Sequence, residues 1–169
     1  MAVSPQSVRT LRDRTGAGVM DCKNALDAAD GDLDRAEAAL RKQGMAQAAT
    51  KSGRATTEGV VDLYVHAGKR VGAMVEVNCE TDFVARTTEF NELAHNLAMQ
   101  VAAMAPLYVD TDSMPADEAR SPEEVCLLKQ SYIKDPGMTI GDLVLGVRAR
   151  VGENIRVSRF VRFSLGEGD

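Results

Sequence analysis

Aromatic residues make up only 4% of this 169-residue chain, tryptophan is absent, and there are just two histidines and three cysteines. Each scarcity removes a class of chemistry. Cys22, Cys79 and Cys126 are odd in number, far apart and without a C-x-x-C pair, so they indicate neither a disulfide framework nor a zinc ribbon and read as reduced thiols. His66 and His95 match no H-x-x-x-H or H-E-x-x-H spacing, so no metal and no cofactor is expected. No apolar run approaches the roughly 20 residues of a membrane span, and Met1 to Val19 carries arginines without an apolar signal core. A cytoplasmic protein with no membrane partner is expected. Lys and Arg number 20 against 25 Asp and Glu, a net charge of −5, where gripping phosphates needs a clustered basic excess. Direct nucleic-acid binding is therefore not expected. Gly16-Ala17-Gly18 lacks the preceding strand and third glycine of a dinucleotide fingerprint, and neither a phosphate-binding G-x-x-x-x-G-K-[ST] loop nor a G-x-S-x-G elbow occurs.

What is present is small, aliphatic and sharply punctuated. Ser4-Pro5 supplies a cap and first-turn pair for a helix carrying Val8 and Leu11 until Thr15-Gly16 interrupts it. Val19 to Asp30 places Met20, Ala25, Leu26 and Ala29 at helical spacing, with Gly31 as terminator. Asp32 then caps a third helix striped by Leu33, Ala36, Ala39 and Leu40, which Gly44 ends. Residues 1–44 thus read as a three-helix bundle, and 45–58, rich in Ala, Thr, Lys and Gly, as a helical tail fading into a linker.

Residues 59–169 change period. Val60 to Val65 and Val71 to Val77 flank Ala67-Gly68-Lys69-Arg70, a hairpin pattern. Phe90, Leu93, Ala94, Leu97, Ala98, Val101 and Met104 then trace one face of the most regular helix. After a proline-bounded connection, Ser121-Pro122 opens a short helical run, Asp135-Pro136-Gly137 makes a turn, and Thr139 caps a helix ended by Gly152. Ile155, Val157, Val161, Phe163 and Leu165 alternate with polar residues as a final strand, interrupted at Arg159-Phe160. Three antiparallel strands packed with helices define an α+β domain, making the whole chain α+β. The exposed edge of so small a sheet suggests pairing between two copies, although Arg156, Arg159 and Arg162 could protect it.

The corner from Asn78 to Arg86 joins the clearest strand to the clearest helix and carries one phenylalanine. Phe83 stands seven before Phe90, and one unbroken helix would bury both. Thr87-Thr88, however, can cap a new helix and free Phe83 to point outward. Asp82 at the start of a helical turn would accept backbone N–H bonds and favour the positive dipole end. The catalytic alternative is Cys79 as nucleophile, His95 as base and Glu80 or Asp82 as orienter. Against it, Cys79 ends a strand on which Val75 and Val77 share its face, the pattern of an inert thiol.

Cys79-Glu80-Thr81-Asp82-Phe83-Val84-Ala85-Arg86 closely resembles the signature of the elongation factor Ts family, nucleotide exchange factors of elongation factor Tu. Leu11 to Leu26 is similar to the family's N-terminal signature, and Val151-Gly152-Glu153-Asn154-Ile155-Arg156-Val157 to its C-terminal one. The resemblance implies a ubiquitin-associated-like bundle, a dimerisation-type core and a non-enzymatic function: promoting GDP release from elongation factor Tu by protein–protein binding. It assigns Thr81, Asp82, Phe83 and Val84 to the segment that intrudes near the partner's Mg²⁺ site, and makes Leu11, Val19 and Met20 further candidate contacts, Met20 foremost. Two departures are that longer members carry a second core subdomain, and that Pro106 to Lys134 lacks the helical insertion of many relatives.

Overall fold

The computed structural model describes residues 3–167. Its first helix, α1 (Pro5–Thr15), starts where Ser4 Oγ accepts the Ser7 amide at 3.0 Å and stops at Gly16, whose φ of 69° lets its N–H reach back to Arg12 O. α2 (Val19–Ala28) and α3 (Leu33–Thr50) follow, α3 capped by Asp32, which accepts the amides of Asp34 and Arg35. Leu11, Cys22, Leu26, Ala29, Ala36 and Leu40 close a small core between the three helices.

Gly44 does not end α3. The helix runs six residues further, because the absent side chain at Gly44 lets it lie along α7 (Ile140–Val151), where an added Cβ would stand 3.2 Å from that of Ala149. Packing against a neighbouring helix outweighs the roughly 1 kcal/mol that a mid-helix glycine costs. A cavity of about 380 Å³ remains between bundle and core, walled by Leu40, Met45, Leu143 and charged groups including Arg41 and Asp142.

β1 (Glu58–Val65) and β2 (Val71–Cys79) form the expected hairpin, with Gly68 and Lys69 both at positive φ in its turn, and β5 (Ile155–Ser164) pairs antiparallel with β2 to give the order β1-β2-β5. On the inner face Val75, Val77, Cys79, Ile155 and Val157 pack against Phe90, Leu93, Leu97 and Val101 of α5 (Thr88–Met104) and Val144 and Val147 of α7. Met104, expected in that stripe, is exposed at the end of the helix.

Between Glu76 and Val77 the register with β5 shifts: Glu76 faces Arg159 whereas Val77 faces Val157, leaving Ser158 as an extra residue. A bulge reverses the facing of everything beyond it. Val161 and Phe163, expected inside by unbroken alternation, therefore lie outside, and Phe160 and Arg162 turn inward. Arg162 consequently donates to Ala102 O and does not guard the sheet. The outer face of the hairpin end becomes apolar: Val61, Leu63, Val65, Met74, Val161 and Phe163 are all exposed.

The connection after α5 contains α6 (Pro122–Val125), closed by a Ser121–Glu124 capping box, and a 3₁₀ turn at Leu127–Lys129. β3 (Ser131–Tyr132) and β4 (Asp135–Thr139) form a second, two-stranded sheet absent from the sequence reading. Asp135-Pro136-Gly137 is thus strand and not turn; the chain reverses at Ile133-Lys134 instead. Buried Gln100 holds this hairpin, donating to Ser131 O at 3.0 Å and accepting the Ile133 amide at 3.0 Å.

Candidate functional site

The chain leaves β2 at Cys79 and makes a four-residue helix, α4 (Asp82–Ala85), before α5 begins. Thr81 is the cap of α4, its Oγ1 facing the Val84 amide at 3.5 Å, so the backbone-accepting role expected of Asp82 belongs to Thr81. Asp82 instead pairs with Arg86 at 2.9 Å, one helical turn on, on an exposed surface. Thr87 caps α5, accepting the Phe90 amide at 3.3 Å and donating to Val84 O at 2.8 Å. Asn91 Nδ2 adds bonds to Ala85 O and Thr87 O. The exit from the corner into α5 is thus fixed by side chains within a few residues of it.

Within this frame the four sequence-assigned residues divide. Phe83 is 80% exposed, the highest value among the exposed large apolar residues described. Phe90, seven residues on, is fully buried. The restart at Thr87 breaks the helical phase that would have buried both. Val84 points the other way and sits in the core beside Ala85, so of the two apolar residues assigned to the site the turn presents only Phe83. Thr81 is held from behind by Glu153, whose Oε1 accepts its hydroxyl at 2.6 Å and whose Oε2 accepts the amides of Glu80 and Thr81 at 3.2 and 3.0 Å. Sequence reasoning gave Glu153 no role; its only signal was membership of the third resembling segment, 72 residues away.

The N-terminal candidates also divide. Val19 and Met20 open α2 with 53% and 62% of their surface in water. Leu11 is fully buried at the centre of the bundle, where it supports α2 and offers no surface.

The thiol chemistry has no setting here. Cys79 is fully buried, its Sγ–H donates to Thr81 O at 3.2 Å, and burial pushes its pKa up to about 11, with the nearby Glu153 carboxylate adding to the rise. A nucleophilic thiol needs the opposite shift. His95 is engaged elsewhere, with Nδ1 3.4 Å from Asp62 Oδ2 and its ring edge-on to Tyr64 at 5.9 Å. Among the described residues no group of three His, Cys, Asp or Glu side chains could hold a metal ion, and no helix is long and apolar enough to cross a membrane.

A family model described as Elongation factor TS matches residues 46–123, a span that includes the whole corner. Across nearly the full chain, the protein is 45% identical to an Elongation factor Ts of Carboxydothermus hydrogenoformans, covering 98% of this chain and 90% of the relative. The chain belongs to the elongation factor Ts family. Other members from Desulfosudis oleivorans and Thermotoga petrophila are each 45% identical, with 98% of either relative covered. These alignments extend over 195 and 196 positions against a chain of 169 residues, so family members carry residues that this one does not.

Proposed function

We propose that this protein is a guanine nucleotide exchange factor of translation elongation, which binds elongation factor Tu and promotes GDP release by disrupting the partner's Mg²⁺ and phosphate contacts. The observation that carries the reading is Phe83: an aromatic ring kept in water on a turn whose own hydrogen bonds leave it nothing to do for the fold. A rigidly presented aromatic is how an interface builds an anchor. Thr81 holds the turn, Asp82 lies paired with Arg86 on its exposed side, Val84 roots it in the core, and Val19 and Met20 offer a second contact from the bundle.

The mechanism is differential binding. The factor stabilises a partner conformation with disrupted phosphate contacts, so GDP and factor each weaken the other's hold by the same coupling, and excess GTP resets the cycle. No nucleotide site, cofactor or nucleic-acid contact is required of this chain, and the reaction belongs to the cytoplasm. The test is release of a fluorescent GDP analogue from elongation factor Tu with catalytic amounts of this protein; absence of acceleration would sink the reading.

A homodimer forms part of the same proposal, through the outer face of the sheet and not by edge pairing. The bulge in β5 turns Val161 and Phe163 outward beside Leu63, Val65 and Met74, an apolar face that a second copy with the same face would cover.

A further inference from the structure

Glu80 and Glu153 reach across to each other's backbone. Glu153 accepts both amides of the Glu80–Thr81 step and the Thr81 hydroxyl, while Glu80 Oε1 accepts the Asn154 amide at 2.7 Å. The turn Gly152-Glu153-Asn154 that makes this clasp is itself anchored. Gly152 adopts a φ of 75°, its carbonyl accepts Lys51 Nζ at 2.7 Å, and the nearly buried Asn154 donates to Ser52 O and Arg54 O at 3.0 and 2.8 Å.

The two amides have left the β2 ladder and lie before the helical bonds of α4, so without Glu153 they would be partly buried orphans. Their fixation sets the direction in which the backbone enters α4, and so where Phe83 points two residues later. Asp82 and Arg86, paired on the exposed surface, cannot do this.

We propose that Glu153 is the positioning residue of the Phe83 corner: it touches no partner and acts by holding the Glu80–Thr81 amides so that Phe83 is aimed before binding. This rests on the exchange-factor reading for its consequence, though not for its geometry. Preorganisation of this kind is felt when the anchor is driven home more than in first encounter.

Glu153→Gln is the variant of choice. It keeps size but removes the charge: with its one oxygen on the two amides, its NH₂ replaces the oxygen that accepts the Thr81 hydroxyl, so the charge-assisted bonds of the clasp are weakened. GDP release should be measured for the unaltered chain, Glu153→Gln, Phe83→Ala and the double variant. The maximal rate with Glu153→Gln should fall about tenfold, as expected for weakening one charge-assisted contact. The factor concentration giving half-maximal rate should change less than about threefold if first encounter is spared. In the Phe83→Ala background the same substitution should change the rate less than about twofold, because coupled residues are non-additive. Equal slowing in both backgrounds, or none in either, overturns the proposal.

Amide hydrogen exchange of the free protein supplies the second readout. Glu80 and Thr81 amides should be protected in the unaltered chain and exchange faster in Glu153→Gln, whose neutral oxygen is the weaker acceptor; solvent-rate exchange in the unaltered chain overturns the proposal even where the variant does not fold. Since that measurement needs no partner, failure to accelerate GDP release would sink the exchange-factor reading while protection of the two amides left the clasp standing.

Discussion

Truncating Phe83 should cost the fold little, because four-fifths of its surface is already in water. Surface changes of this kind stay within about 0.5 kcal/mol, which for a chain of this size moves Tm by only about 2 °C. Exchange should suffer far more: losing an anchor worth about 2 kcal/mol slows GDP release about 30-fold. Circular dichroism melting beside the fluorescent-GDP assay checks both halves, and unfolding of Phe83→Ala would make the residue structural. Cys79 gives the converse case. A thiol whose pKa is raised from its ordinary value near 9 to about 11 favours the folded state below pH 9, and that contribution fades as pH rises through about 11. The native protein should therefore resist a thiol reagent at Cys79 at pH 8, read by mass spectrometry after quenching and digestion, while Cys79→Ser keeps the hydroxyl-to-Thr81 bond and exchange activity.

Among the elements, the β1 start depends on Gly59. At its φ of 154° an added Cβ would stand 2.2 Å from Val77 O and 2.7 Å from Asn78 Cα, contacts only backbone movement can relieve. Gly59→Ala should destabilise by about 2 kcal/mol or more, seen as a lower urea midpoint. The same sheet illustrates what periodicity can miss. Arg159-Phe160 stood out as a break in alternation, but nothing local says that the chain there inserts one residue opposite β2 and carries on reversed. The corner is a parallel case: Thr87 was legible as a cap, whereas the phase of Phe83 depended on α4 ending at Ala85. Asp135-Pro136-Gly137 has turn composition yet forms β4, because pairing with β3 and buried Gln100 locate the reversal two residues earlier.

Across the molecule, the bundle and the sheet domain meet where α3 crosses α7 at Gly44 and Ala149. Gly44→Leu would overfill that crossing at a cost of about 1–3 kcal/mol. A lower Tm and a larger radius of gyration by X-ray scattering are expected, with slower exchange because Met20 and Phe83 would no longer be held in one frame. The proposed dimer makes its own prediction. Phe163→Ser, at a site 73% exposed, should leave the melting curve of the monomer fold nearly unchanged and lower the sedimentation coefficient toward that of a monomer at equal loading. A wild-type chain that sediments as a monomer would remove the dimer from the proposal.

The sequence by itself determined the α+β class, the caps at Ser4, Asp32, Thr87 and Thr139, the hairpin and the identity of the corner, because these depend on neighbours within a few residues. Only the tertiary structure decided which way Phe83, Val84, Leu11 and Phe163 face, and that Glu153 reaches back 72 residues to Thr81. Facing is settled by what packs on the other side, and a clasp between distant segments leaves no period along the chain.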